Sequence, residues 1–476
     1  MTDTSASQSA LAPQTQLKRD AFGVPSILFI VLSAQAPLTS IVGAAGVAVA
    51  LGNGPGLPGA YVAVGAVILL FSVGFTTMTR HVDSRGGFYA LIRAGLGERA
   101  SAGGTLVGLL SYSAVQLAMY ALMGASLGNL LGRHFGFSSP WWLWALVAIA
   151  LVWGLGSRQV ELGAKVLAVL VGLEIAILTA FALVLVATRG IGSFDVAASF
   201  SPSAVMAGAP GVAVMFAVAC MFGFESTAIY SAEARDPRRT VPRATYIAVV
   251  VIAVFLAGTS WAVVSYYGAA DAQGAALEAL GTDAALFALN PINDVLGSWA
   301  GAAADVLLVT SLFAGVLAFH NMITRYFHAL AGRGLLPAVL ERTNKHRAPA
   351  NASLAQTVLA AALVVVVTLA GLDPIADVFS WFSGLAVAAL VVLYLLTSVS
   401  AVAFFRREPV EENPVSTLVA PIAAAALMAV VLAMVVRNFG VLTGGSSLTV
   451  ALLLGSVPVV FALGVAGARR AAVLRS

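Results

Sequence analysis

Cysteine and charge are both scarce in this chain. A single cysteine, Cys220, stands among 476 residues, which excludes an internal disulfide and a cysteine-based metal cluster. Charged residues make up only 10% of the sequence, against about 25% in a typical soluble domain. A water-soluble fold with 60% hydrophobic residues would expose large apolar patches, a difficulty that a surface facing lipid does not have. There is no zinc-type His/Cys spacing and no Walker-type glycine-rich loop, so neither a metal centre nor ATP hydrolysis is expected. Paired catalytic carboxylates and a nucleophile–base set are missing as well, so the chain does not read as an enzyme and calls for no cofactor. The net charge of +4 does not indicate nucleic acid, because the basic residues sit in short segments between apolar runs.

What the chain has in abundance is apolar length. Crossing a hydrocarbon core of ~30 Å takes about 20 residues. Runs of that order fall near 24–52, 57–80, 100–131, 140–157, 162–187, 208–233, 243–267, 297–328, 350–371, 376–405, 414–437 and 446–468. The polar segment 1–20 reads as a disordered cytoplasmic N-terminus without a signal peptide. With that end inside, alternate loops collect the basic residues, and only Arg133, Arg189 and Arg437 of the 25 Lys and Arg fall elsewhere. The outer loop 268–296 holds Asp271, Glu278, Asp283 and Asp294 with no base. This positive-inside bias predicts an all-α polytopic protein of the inner (cytoplasmic) cell membrane, with twelve transmembrane helices and both termini in the cytoplasm.

Two of the twelve runs are interrupted. In the first, Ser33 to Ser40 form a polar stretch around Pro37, which removes a backbone donor and crowds the preceding turn. In the sixth, Phe222, Gly223, Phe224 and Glu225 bring a carboxylate to membrane depth, where an ionisable group is costly and marks a functional site by default. Broken helices whose ends meet near the midplane point to a secondary transporter. Breaks in the first and sixth helices are what an inverted five-helix repeat predicts.

Gly223-Phe224-Glu225 followed by Ala232 to Arg243 resembles the sixth-helix signature of the amino acid–polyamine–organocation (APC) superfamily. Gly86-Gly87-Phe88-Tyr89 is similar to the Gly-Gly-x-Tyr segment after helix 2. Asn321, Arg325, Gly334 to Pro337 and Pro349 resemble the exit of helix 8. The resemblance spans roughly 20–405 and implies the LeuT-like fold: a 5+5 inverted repeat at 21–405, then helices 11 and 12 and a short cytoplasmic C-terminus at 406–476. The break at 36–42 reads Ala-Pro-Leu-Thr-Ser-Ile-Val, closer to the proline-containing form of putrescine-importer-type members than to the usual glycine-rich one. Ala219 stands where many relatives carry an aromatic gate, and Phe319 falls where some carry one on helix 8.

The candidate substrate-binding residues are therefore Ala36, Pro37, Leu38, Thr39, Ser40 and Ile41 at the first break, and Phe222, Gly223, Phe224 and Glu225 at the second. Helix N-terminal amides attract a carboxylate and free carbonyls an ammonium. Tyr112, Gln116 and Tyr120 recur every four residues, so they share one face of helix 3, which serves either a pocket wall or an interhelical seam. Tyr112, Gln116 and Phe319 join the candidates. Glu174, mid-run in helix 5, falls where the resemblance puts a lysine that replaces a sodium ion; with Glu225 it is the candidate for proton coupling, unless each is a buried carboxyl with a bracing hydrogen bond. Asp305 reads as solvated, His320 as a satisfied packing residue, and Trp381 and Phe382 as interfacial anchors or an outer gate. The expected function is import of an amino acid by alternating access in symport with a proton. A polyamine or monoamine importer and an amino acid/amine exchanger are the alternatives.

Overall fold

The computed structural model describes residues 23–82, 87–156, 164–225, 227, 234–332, 334, 336–342, 349–408 and 410–473. The 1–20 segment, Gly86 and most of the stretch 226–233 lie outside them. The described residues are built from helices. In chain order these are α1 (Val24–Gln35), α2 (37–53), α3 (Leu57–Thr79), α4 (Phe88–Phe135), α5 (Trp141–Gly156) and α6 (Ala164–Arg189). The short α7 (Val196–Phe200) and α8 (Pro202–Val205) lead to α9 (Pro210–Ala219) and α10 (Pro237–Tyr267). Then follow α11 (Ala272–Leu280), α12 (Leu286–Leu296), α13 (Ser298–Gly332), α14 (Ala350–Leu369), α15 (Pro374–Arg407), α16 (Val415–Leu442) and α17 (Ser447–Val473).

Among the described residues, nine helical runs are long and apolar enough to cross a membrane, and α5 and α9 are shorter apolar helices. The run from Thr39 to Thr79 is not straight, because its backbone leaves helical geometry at Gly52 (φ −103°, ψ −120°) and turns again at Gly54 (φ +58°). α4 has 48 residues, about 70 Å if straight, more than twice the hydrocarbon thickness. It bends at Gly97 (φ 84°, ψ 177°), a conformation glycine adopts at no steric cost. The segment 88–96, expected as a loop after helix 2, is thus a helical piece packed on α15. It approaches so closely that a Cβ at Gly95 would collide with the Ser400 carbonyl.

α4 and α15 form the centre, each 72% buried over its most apolar stretch, whereas α17 is 11% buried. The outward faces are strongly apolar: Val169 and Leu183 on α6, Val254 on α10 and Leu369 on α14 are 62%, 65%, 65% and 82% exposed. Such surfaces are stable against lipid and not against water. The acidic segment 268–296, expected as a loop, folds into α11 and α12, which pack on α2, α6 and α13.

Candidate functional site

The first break is a single residue. α1 ends at Gln35, and Ala36 takes left-handed backbone (φ 52°, ψ 77°), alone among the described non-glycine residues. The chain then re-enters a helix at Pro37, which suits a first helical turn because it has no N–H to leave unpaired. The expected unwound stretch 36–42 is therefore narrower: 39–44 coils in π-type turns, a widening frequent at functional sites. Gln35 and Ser40 close the gap, with Gln35 Nε2 donating to Ser40 Oγ at 2.8 Å.

A new helix start leaves orphan amides, and a side chain from another helix takes one of them. The Leu38 N–H donates to Glu174 Oε2 of α6 at 3.1 Å. Ser311 of α13 lies beside the same carboxylate and accepts a 3.4 Å hydrogen bond from Thr39. Glu174 is 1% exposed, and its Oε1 has no hydrogen-bond partner. A carboxylate thus sits on the positive end of α2, where helix dipole and free amides favour negative charge.

The second break follows α9. The chain turns through 220–225, with Gly223 at φ +107°, a region L side chains avoid. The Gly223 N–H donates to Glu225 Oε2 at 3.1 Å, so this break also holds a carboxylate on its own backbone. Tyr394 of α15 faces Glu225, although its buried hydroxyl completes no hydrogen bond. Tyr112 faces the same carboxylate. Phe224 packs against Phe71, Phe75 and Tyr394 at ring-centroid distances of 6.1, 6.3 and 5.7 Å.

The two breaks meet. Ser40 from the first and Tyr61 of α3 both face the Cys220 thiol at the end of α9, Tyr61 donating at 3.6 Å. Leu38, Ser40, Ile41, Phe222, Phe224 and Tyr112 are all buried. Phe319 stacks obliquely on Tyr112 at 6.1 Å, beside Tyr326 at 5.7 Å. Gln116 is directed elsewhere. It donates to the Val316 carbonyl at 3.2 Å and accepts from Gln356 of α14, so it ties α4 to α13 and α14. His320 bonds Ser353 at 2.9 Å, a packing arrangement. Asp305 corrects its expectation of solvation: it is 2% exposed and accepts from Arg133 Nη2 at 2.6 Å. Trp381 donates to the Leu442 carbonyl and locks α15 to α16. Sequence reasoning missed Tyr394, whose one signal was a phenol in the middle of an apolar run.

Buried carboxylates resting on backbone at facing helix breaks, inside a bundle with an apolar exterior, point to a transport protein. A family model described as amino acid permease matches residues 22–461. The chain belongs to that family, within the amino acid–polyamine–organocation superfamily, and is a multi-pass membrane transporter of amino acids or related organic cations.

Proposed function

We propose that the protein imports an amino acid across the cytoplasmic membrane in symport with a proton, by alternating access. The bundle is read as twelve spans of LeuT-like build: a core over 21–405 whose inverted repeats begin with the broken helices, then two further helices. The N-terminus and C-terminus face the cytoplasm in this reading. The substrate lies against residues 36–41 and 222–225, with Tyr112 and Phe319 beside it.

The observation that carries the proposal is the Glu174 carboxylate on the Leu38 amide. That amide belongs to a helix N-terminus suited to a substrate carboxylate. A carboxyl group that takes up a proton loses most of its hold on an N–H donor. Proton uptake by Glu174 then releases the Leu38 amide to the incoming carboxylate, and loss of the substrate returns Glu174 to it. The two events are thereby linked through one backbone group. Glu225 repeats the arrangement on Gly223 and is suited to the substrate ammonium or to a second proton.

The same contact favours a second reading. If Glu174 never leaves Leu38, the site offers two carboxylates and no free amide, which suits a cationic amine, as an import substrate or as the partner in amine exchange. Uptake of labelled α-amino acids and of labelled mono- and polyamines into proteoliposomes decides between them. Amino acid uptake that rises with an inward proton gradient supports symport. Uptake of amines alone would replace it with the second reading, and amino acid uptake that needs sodium and ignores the pH gradient would refute proton coupling.

A further inference from the structure

A cleft of about 440 Å³ at one end of the bundle has no part in the transport site. Arg80, Arg238, Arg239, Arg243, Tyr246 and Glu412 line it. Four guanidinium groups face one carboxylate. Glu412 meets Arg80 at 3.4 Å, and Arg239 reaches the exposed Asp236 only at 3.8 Å. Arg238 and Arg243 make no ion pair among the described residues. The Arg80 Nε is buried without a hydrogen-bond partner. A concave site with this surplus of forked donors matches a phosphate oxyanion.

The helices flanking the cleft identify where the phosphate comes from. Below Arg243 on α10, Ile247, Val250, Val251 and Val254 are 41%, 45%, 39% and 65% exposed. Their spacing puts them on the face that carries Arg243. On α16, just past Glu412, Val415 and Val419 are 55% and 56% exposed. An anion in solution has no use for apolar stripes running away from the cleft. An amphiphile does, with its head among the arginines and its chains along α10 and α16. We propose that this cleft binds the phosphate-bearing headgroup of an anionic lipid, in the manner of basic pockets between membrane helices. Tyr246 already bonds Thr76 of α3 at 3.1 Å, so a bound headgroup would brace the α3–α10 corner. The topology proposed above puts the cleft in the cytoplasmic leaflet; the site itself does not depend on that topology or on the transported substrate.

The test is thermal unfolding of the delipidated full-length protein in non-ionic detergent, titrated with phosphatidylglycerol, phosphatidylcholine or inorganic phosphate. The expected result is saturable stabilisation by phosphatidylglycerol alone. Each arginine near a headgroup contributes about a fivefold factor in affinity. The triple variant Arg238→Gln/Arg239→Gln/Arg243→Gln is thus expected to weaken lipid binding by about 100-fold, and Arg437→Gln, away from the cleft, to leave it unchanged. Should the triple variant not fold, Arg243→Gln alone is expected to weaken it about fivefold. Equal stabilisation by phosphatidylcholine, or a phosphatidylglycerol effect indifferent to these arginines, would overturn the site. Equal stabilisation by inorganic phosphate would overturn the lipid as its occupant.

Discussion

Arg133 offers the sharpest test of how this bundle is held together. It lies in the last turn of α4 and reaches Asp305 of α13 through Nε at 3.3 Å and Nη2 at 2.6 Å. Its Nη1 bonds Asp283, in the segment leading into α12. The Arg133, Asp283 and Asp305 side chains are 29%, 9% and 3% exposed. Two nearly buried carboxylates therefore share one guanidinium, assisted by His134 at 3.3 Å from Asp305. Arg133→Ala strands both carboxylates, and breaking a buried pair from one side costs about 3–5 kcal/mol. Because Arg133 is partly solvated, a loss of about 3 kcal/mol is expected, read as unfolding free energy in mixed detergent micelles. Asp305→Asn added to Arg133→Ala removes one stranded charge and is expected to restore more than half of the loss. A single-variant cost below about 1 kcal/mol, or no recovery in the double variant, would refute this account of the cluster.

Three further outcomes follow from the local geometry. Glu174→Ala orphans the buried Leu38 amide and is expected to cost about 1–3 kcal/mol, whereas Glu174→Gln keeps an acceptor for it and is expected to cost less; equal losses in the same unfolding assay would contradict the capping role. Ala36→Val forces a β-branched side chain into left-handed backbone and is expected to cost about 1–3 kcal/mol, while Ala36→Gly is expected to be neutral or stabilising. Gly95→Ala drives a Cβ onto the Ser400 carbonyl, and overpacking of this kind costs about 1–3 kcal/mol, detectable as a lowered Tm.

The helix breaks were legible because their causes are local. Pro37, the polar run around it and a lone Glu225 at membrane depth each disturb an apolar pattern. The width of the first break was not legible, because π-type turns at 39–44 are compatible with the same residues as an unwound strand. The partner of Glu174 was not legible either, since Leu38 lies 136 positions away and hydropathy carries no pairing information. The stripe of Tyr112, Gln116 and Tyr120 left two roles open, and Gln356, 240 positions from Gln116, decides the direction Gln116 takes. Arg133 stood out as a base away from the positive loops, yet Asp305 read as solvated because its screening partner came from another helix. The acidic stretch 268–296 read as a loop on its charge, but its alanine- and leucine-rich pattern folds into α11 and α12 once α2, α6 and α13 cover it.

In the proposed transport cycle, proton and substrate are linked through Glu174 on the Leu38 amide. Accumulation of a labelled amino acid in proteoliposomes under an imposed pH gradient, compared between the native protein and Glu174→Gln, tests it most directly. The native protein is expected to concentrate the amino acid against its gradient, while Glu174→Gln binds and exchanges it without pH-driven accumulation. Full pH-driven accumulation by Glu174→Gln would contradict it.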